Sequence, residues 1–239
     1  MIFSIDGNIG SGKSTIVRAL KKSLAGNKNI IFLEEPVSEW TQIKSEDGET
    51  ILEKFYSDQT KYAFSFQMMA YISRLALLRK TIRENPGCHI VTERSIYTDK
   101  NVFAKMLYDD GKIEEVNYKI YLMWFDEFVQ ETKIDHIIYI DTSAQKCFER
   151  IKKRNRTGES DIPLDYLQKC ENYHDDWIEG HDNNIVSYNY NGVIITDYKH
   201  ENGDSFIIKN NKDVVTDEEQ EAFIDNISNF MVDKISGSN

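Results

Sequence analysis

Little in this chain would staple or anchor it. Its 239 residues include only 3 cysteines and 3 prolines. Cys88, Cys147 and Cys170 lie far apart and form no Cys-x-x-Cys pair. That argues against a zinc site or a disulfide framework and leaves reduced, mostly buried thiols as the expectation. The 5 histidines show no His-x-x-x-His spacing and are assigned no chemistry. Positive charge is in deficit: the formal net charge is −11, so a nucleic-acid polymer would be repelled and is not an expected partner. No run approaches the roughly 18 apolar residues of a membrane span, and no membrane partner is expected. The first apolar run starts at Ile2 with no leader before it, so a cytoplasmic location is expected. No linker rich in Pro, Gly or Ser and no repeat divides the chain. One domain over 1–239 is therefore expected, with a lid at about 150–162 and an atypical acidic, Asn-rich end at about 198–239.

What is present is a complete phosphate-binding loop. Gly7, Asn8, Ile9, Gly10, Ser11, Gly12, Lys13 and Ser14 spell G-x-x-x-x-G-K-S, followed by Thr15. The run Ile2-Phe3-Ser4-Ile5 before it has the character of a buried strand. Ile16, Val17, Leu20 and Leu24 after it share one helix face. Glycines let backbone N–H groups curl around a phosphate, and the helix N-terminus adds partial positive charge. Lys13 reaches the β- and γ-phosphates of such a ligand, and the Ser14 hydroxyl is a Mg²⁺ ligand.

Further apolar runs at Ile30–Leu33, His89–Thr92, Ile137–Ile140 and Val193–Ile195 alternate with helical patterns at Tyr62–Glu84, Lys112–Thr132 and Ser143–Arg154. The alternation predicts an α/β fold, a five-stranded parallel sheet flanked by helices in three layers. Ser45–Glu49 and Lys199–Asp213 read as loops, the latter with an extra hairpin around Phe206–Ile208. Thr216 and Glu219 form a capping box for a last helix, whose Phe223, Ile227 and Phe230 share a face.

A phosphate loop alone does not distinguish a kinase from a GTPase or a motor. The chain has no Asn-Lys-x-Asp guanine-reading motif and no apolar strand ending in Asp-Glu. Its second and third expected strands run instead into Glu34-Glu35-Pro36 and Glu93-Arg94-Ser95. Ligands of open α/β sheets bind at the carboxyl ends of strands, so these acids face the loop's edge of the sheet. Phosphoryl transfer to an alcohol needs a γ-phosphate cradle, a metal, a base near the hydroxyl and positive charge on the moving group. Glu35 suits the base, Glu93 a water-mediated hold on Mg²⁺, and Arg94 the hydroxyl or the phosphate. Arg150, Lys152, Lys153, Arg154 and Arg156 form a basic cluster that reads either as a solvated helix face or as a lid closing over phosphates. Phe66, Gln67 and Arg74 fall within about two turns of one helix, which suits a flat base.

These segments, in order, are the phosphate loop; Glu35-Pro36-Val37 with Trp40; Phe64-Ser65-Phe66-Gln67 with Ser73-Arg74; Glu93-Arg94-Ser95 with Tyr97 and Asp99; Arg150 to Arg156; and Ile162-Pro163-Leu164 with Tyr166-Leu167. Together they resemble the deoxyribonucleoside kinases as far as Gly180, most closely the deoxycytidine, deoxyguanosine and deoxyadenosine branch. The resemblance implies transfer of the γ-phosphate of ATP or another triphosphate, with Mg²⁺, to the 5′-hydroxyl of a deoxynucleoside. It implies Lys13, Glu35 and Arg94 as catalytic residues, with Glu35 the general base. It implies Ser14 and Glu93 at the metal and Gln67 at the Watson–Crick edge of the base. Val37, Trp40, Leu52, Phe66 and Phe103 would enclose the base, and Tyr56 and Glu159 would bind the sugar 3′-hydroxyl. The loop through Thr15 and the lid residues Arg150, Arg154 and Arg156 would hold the donor phosphates, with Asp197, at the end of the last expected strand, near the donor base. Arg74 and Asp99 at the base end favour deoxycytidine or a deoxypurine, unless the pair is only structural. The family also implies a homodimer through long helices, for which Lys112–Thr132 has an apolar face. Asp99-Lys100-Asn101 departs from the branch's usual Asp-Arg-Tyr, and Phe55 and Met69 stand where pocket lining is expected. Two other readings remain open: a nucleoside monophosphate kinase of the same fold, and a nucleotide-gated binding module.

Overall fold

The elements follow the expected alternation. They are β1 (Ile2–Gly7), α1 (Lys13–Ser23), β2 (Ile30–Leu33), α2 (Val37–Trp40), α3 (Ile51–Ser57), α4 (Gln59–Glu84), β3 (His89–Glu93) and α5 (Ile96–Thr98), then a π-helical stretch, Asp99–Ala104. They continue with α6 (Lys105–Asp109), α7 (Glu115–Phe128) with a 3-10 turn at Val129–Thr132, β4 (His136–Asp141), α8 (Ala144–Arg154) and α9 (Leu164–Glu179). The chain ends with β5 (Val186–Tyr190), β6 (Val193–His200), β7 (Gly203–Lys209) and α10 (Asp217–Ser236). This computed structural model describes residues 1–156, 158–159, 162–179, 186–190, 193–200, 203–209 and 217–237, with side chains for 1–156, 158–159, 162–178 and 221–237. Thr216 of the expected capping box lies outside the described residues.

The strands form one sheet in the order β2-β3-β1-β4-β7-β6-β5. Strands β2, β3, β1 and β4 are parallel neighbours, with Ile5 opposite Glu93 and Ile138. Strand β1 is buried from Phe3 onward, as a strand covered on both faces must be. One correction concerns the last expected strand. Val193–Ile195 lies in β6, which runs antiparallel to β5 and β7, while β7 joins β4 in parallel. Residues 203–209, expected within a loop with a hairpin, thus close the parallel set. The cause is connection length: two residues separate β5 from β6 and β6 from β7, and so short a link permits only antiparallel pairing. An apolar triplet carries no record of strand direction.

Helices cover both faces. Ile16, Val17 and Leu20 of α1 pack with Ile224, Ile227, Phe230 and Met231 of α10 against Phe3, Ile5, Val91, Ile138 and Ile140. The other face buries Tyr71, Tyr97, Phe125, Ile137, Tyr139, Leu167 and Trp177. A third cluster, Trp40, Leu52, Phe55, Phe66 and Leu107, joins α2, α3, α4 and α6. Helix α3 is held in place by a capping box, Thr50 and Glu53 bonding each other's backbone N–H. On α7, Val116 and Met123 stay 67% and 62% exposed, with Trp124 at 42%. No described helix is long and apolar enough to cross a membrane.

Candidate active site

The loop from Gly7 to Ser14 joins β1 to α1. Gly10 and Gly12 take φ of 82° and 101°. A Cβ on Gly10 would meet the Cys147 carbonyl oxygen at 2.7 Å, and one on Gly7 would meet the Ile140 oxygen at 2.8 Å. Only glycine fits such close backbone approach. Lys13 Nζ donates to the carbonyls of Gly7 (2.9 Å) and Asn8 (2.7 Å). Burial, and then the nearby Arg94, lower its pKa to about 8. Asn8 Nδ2 ties the loop to the Leu167 carbonyl of α9 at 2.9 Å, and Arg150 donates to the Ser11 carbonyl at 3.0 Å. Ser14 Oγ donates to Glu93 Oε1 at 2.6 Å. A hydroxyl and a carboxylate beside a phosphate loop fit Mg²⁺, which takes one or two protein oxygens and completes its shell with phosphate and water. Among the described residues there is no cluster of three or more His, Cys, Asp or Glu able to hold a metal by itself.

Beside the loop, four charged side chains form one network, buried but for the partly exposed Glu35. Glu35 Oε1 accepts from Arg74 Nη2 at 3.0 Å and from Arg94 Nε at 3.2 Å. Burial alone would raise the Glu35 pKa, but Arg74, Arg94 and Lys13 outweigh it and set it at about 2. Glu35 is therefore ionised at neutral pH. Arg74 also grips Asp99, Nε to Oδ2 at 2.9 Å and Nη2 to Oδ1 at 3.4 Å, and donates to the Glu93 carbonyl at 3.2 Å. Burial pushes the Asp99 carboxyl above its ordinary value. Arg94 adopts φ of 64°, its guanidinium lies 4.6 Å from the Phe103 ring centroid, and its Nη1 is buried with no partner. A side chain in the left-handed region at a cleft is stored strain, and an orphaned buried donor beside it is a ready hydrogen bond for a ligand oxygen.

All of this opens on one cleft of about 580 Å³. Glu35, Val37, Trp40, Leu52, Tyr56, Phe66, Gln67, Arg74, Arg94, Asp99, Phe103 and Glu159 all line it. So do Ile9, Gly10, Gly12, Lys13, Ser14, Thr15, Glu93, Arg150, Arg154 and Arg156. Gly7, Asn8 and Ser11 shape the loop from behind. The rings make an apolar slot: Phe55 stacks on Phe66 at 4.5 Å and 14°, and Trp40 meets Phe66 edge-on at 5.9 Å. Trp40 is fixed by Nε1 donating to Ser73 Oγ at 2.8 Å. Gln67 is 2% exposed. At the loop's open side Arg154 and Arg156 (3.1 Å) both pair with Glu159. Glu159 thus sits among the lid arginines as well as on the cleft wall.

Asp197, expected at a strand end, is opposite Phe206 in the middle of antiparallel β6, and its side chain is outside those described. The sequence reading also missed lining residues: Arg18, Ala70, Tyr166, Phe223 and Ile224. Phe223 was legible as part of an apolar helix face. That the helix returns to the phosphate loop follows only from α10 packing on α1.

Comparison with known proteins agrees with this geometry. A sequence model described as deoxynucleoside kinase matches residues 3–231. Deoxycytidine kinase 2 of Gallus gallus is 36% identical over 195 residues, covering 73% of this chain and 72% of its own. A probable deoxycytidine kinase of Fowlpox virus is 32% identical over 222 residues, 90% of this chain and 88% of its own. A mitochondrial deoxyguanosine kinase of Xenopus laevis is 31% identical over 193 residues, 73% of this chain and 72% of its own. With a phosphate loop, a buried carboxylate beside it and an aromatic slot behind, the chain belongs to the deoxynucleoside kinase family.

Proposed function

We propose that this kinase moves the γ-phosphate of ATP or another nucleoside triphosphate to the 5′-hydroxyl of deoxycytidine or a deoxypurine nucleoside, and that 1–239 act as one kinase domain with its lid at about 150–162. One observation carries the reading: the ionised Glu35, held by Arg74 and Arg94, lines the same cleft as the Lys13 loop and the aromatic slot. A base lying in the slot of Phe66, Trp40, Leu52, Phe103 and Val37 places its sugar hydroxyl toward Glu35. Gln67 faces the base edge, with Asp99 and Arg74 beyond it. Tyr56 and Glu159 hold the sugar.

The 5′-oxygen attacks the γ-phosphorus, the bond from that phosphorus to the bridging oxygen breaks to release the nucleoside diphosphate, and Glu35 accepts the hydroxyl proton. A carboxylate with so low a pKa is a weak base, so its first task is orientation, with proton transfer late, once the P–O bond has formed and acidified the hydroxyl. Arg94 Nη1, lacking a partner in the protein, donates to the oxygen in transit. Lys13 leaves the loop carbonyls for the phosphates, and Arg150, Arg154 and Arg156 neutralise them from the lid side. Ser14 and Glu93 would hold Mg²⁺, which supplies charge neutralisation at the phosphates. An uncharged acceptor is favoured over a monophosphate because Arg74, the cation at the base end, already serves two carboxylates. The exposed face of α7 supports a homodimer as the assembly.

The test is Glu35→Gln, with ATP binding followed by calorimetry and turnover measured on the four deoxynucleosides, dAMP and dTMP. Turnover falls by about 10²-fold or more while ATP binding persists. Near-wild-type turnover in this variant, or a wild-type protein active only on the monophosphates, would refute the proposal.

A further inference from the structure

Asp6 is the last side chain before the phosphate loop, fully buried at the end of β1, and no step above uses it. It is not in contact with the cleft. Its carboxylate nonetheless collects three donors. Oδ1 accepts from the Ser95 backbone N–H at 3.2 Å and from Thr98 Oγ1, and Oδ2 accepts from Ser4 Oγ. Two of these donors belong to the turn that follows β3, the turn that carries Arg94.

That turn is the strained part of the site. Arg94 is one of two non-glycine residues with positive φ among those described. Its peptide groups are pinned one after another. Its N–H donates to the Ile5 carbonyl at 3.0 Å, and its C=O accepts from Thr92 Oγ1 at 3.0 Å. The next N–H, that of Ser95, goes to Asp6. Ser95 then starts α5, its Oγ accepting from the Thr98 N–H at 3.3 Å and lying 3.2 Å from Thr98 Oγ1. The parallel ladder would continue from Ile5 and Glu93 if the chain stayed extended. It leaves instead after Arg94, and the Asp6 side chain takes the Ser95 N–H.

We infer that Asp6 is a positioning residue for phosphoryl transfer: by capping Ser95 and Thr98 it holds the left-handed Arg94 turn so that the guanidinium reaches Glu35 and the reacting oxygen. Resting on the kinase reading above, it adds a residue to that site that touches neither substrate. Hydrogen-bond acceptance at Oδ1 is the property required, since both turn donors converge there. An amide oxygen supplies the same acceptor, and a methyl group supplies none.

The experiment compares wild type with Asp6→Ala, Asp6→Asn and Thr98→Val, measuring Tm and the kcat and KM for ATP and deoxycytidine. Asp6→Ala lowers kcat at least tenfold with both KM values within twofold, because Arg94 misaligns at the transferring group while the loop and the base slot are untouched. Asp6→Asn restores kcat to within threefold of wild type. Thr98→Val, which deletes the Oγ1 bonds to Asp6 and to Ser95 Oγ and keeps the backbone N–H bonds of Ser95 and Thr98, costs about threefold in kcat and is the variant read if Asp6→Ala does not fold. Unchanged kcat in Asp6→Ala, a rise in KM for ATP alone, or Asp6→Asn as impaired as Asp6→Ala would each overturn the assignment. Wild-type protein that phosphorylates no deoxynucleoside would instead overturn the kinase reading, so the two failures are distinct.

Discussion

Replacing Arg74 by Met tests whether the base end is bound electrostatically to the rest of the site. Arg74 and Asp99 are 4% and 2% exposed, and their contact at 2.9 Å is the tightest ion pair of the buried network. Met keeps much of the arginine's volume and removes its charge. Asp99 then loses two hydrogen bonds and its counter-ion together, whereas Glu35 keeps Arg94. Breaking a buried pair from one side costs about 3–5 kcal/mol, most of it the stranded charge. At roughly 2–4 °C per kcal/mol for a chain of this size, Tm falls by about 6–20 °C. Asp99→Ala alone costs less, about 1–3 kcal/mol, since Arg74 still bonds Glu35 and the Glu93 carbonyl. Removing both charges takes away the stranded acid, so the double variant unfolds at higher urea than Arg74→Met by about 1–3 kcal/mol. The four proteins are compared by urea unfolding followed by circular dichroism, and by turnover on the four deoxynucleosides. The double variant shifts preference towards thymidine. A double variant that falls at the sum of the singles would refute the pairing argument, and an unchanged substrate ranking would reduce the pair to architecture.

Two further outcomes follow from the same geometry. Glu35 has a folded pKa of about 2 against an ordinary 4.5, so the unfolded chain binds the proton more readily. Its stabilising effect, about 3 kcal/mol at most, is complete above pH 4.5 and is lost as pH falls towards 2. Acid unfolding of Glu35→Gln is accordingly less steep in that window, and curves of equal slope would contradict the assignment. Gly10→Ala drives a Cβ to 2.7 Å from a backbone oxygen and 2.9 Å from Ile151 Cγ1, at φ of 82°. The expected results are a loss of about 1–3 kcal/mol and a KM for ATP raised at least tenfold, checked by thermal melts and initial rates.

Much of the site was legible because local chemistry fixed it. The phosphate loop needs glycine at stated positions, and Glu35 and Glu93-Arg94 end short apolar runs, so sheet geometry alone set them on one edge. Helix periodicity placed Phe66, Gln67 and Arg74 on one wall. What the sequence did not show was relational. Strand direction in β6 depended on two-residue links, and Asp197 falls in mid-strand where a strand end was expected. The pairing of Glu159 with Arg154 and Arg156 joins residues whose separate assignments, to sugar and to phosphates, gave no sign of contact. Asp6 reads as an ordinary polar residue before a glycine until the turn at Ser95 and Thr98 is seen to converge on it. The π-helical stretch from Asp99, which aims Asp99 and Phe103 into one cleft, has no pattern distinct from an α-helix in sequence.

The left-handed backbone at Arg94 sets evolution two aims that conflict. Glycine would relax that backbone, and a strain of about 1–3 kcal/mol would be returned to folding. Glycine, however, brings no guanidinium to the acid across the cleft. Variants selected for heat resistance alone would therefore drift away from arginine there, and those that hardened the fold most at this one codon would be the ones that no longer phosphorylate anything.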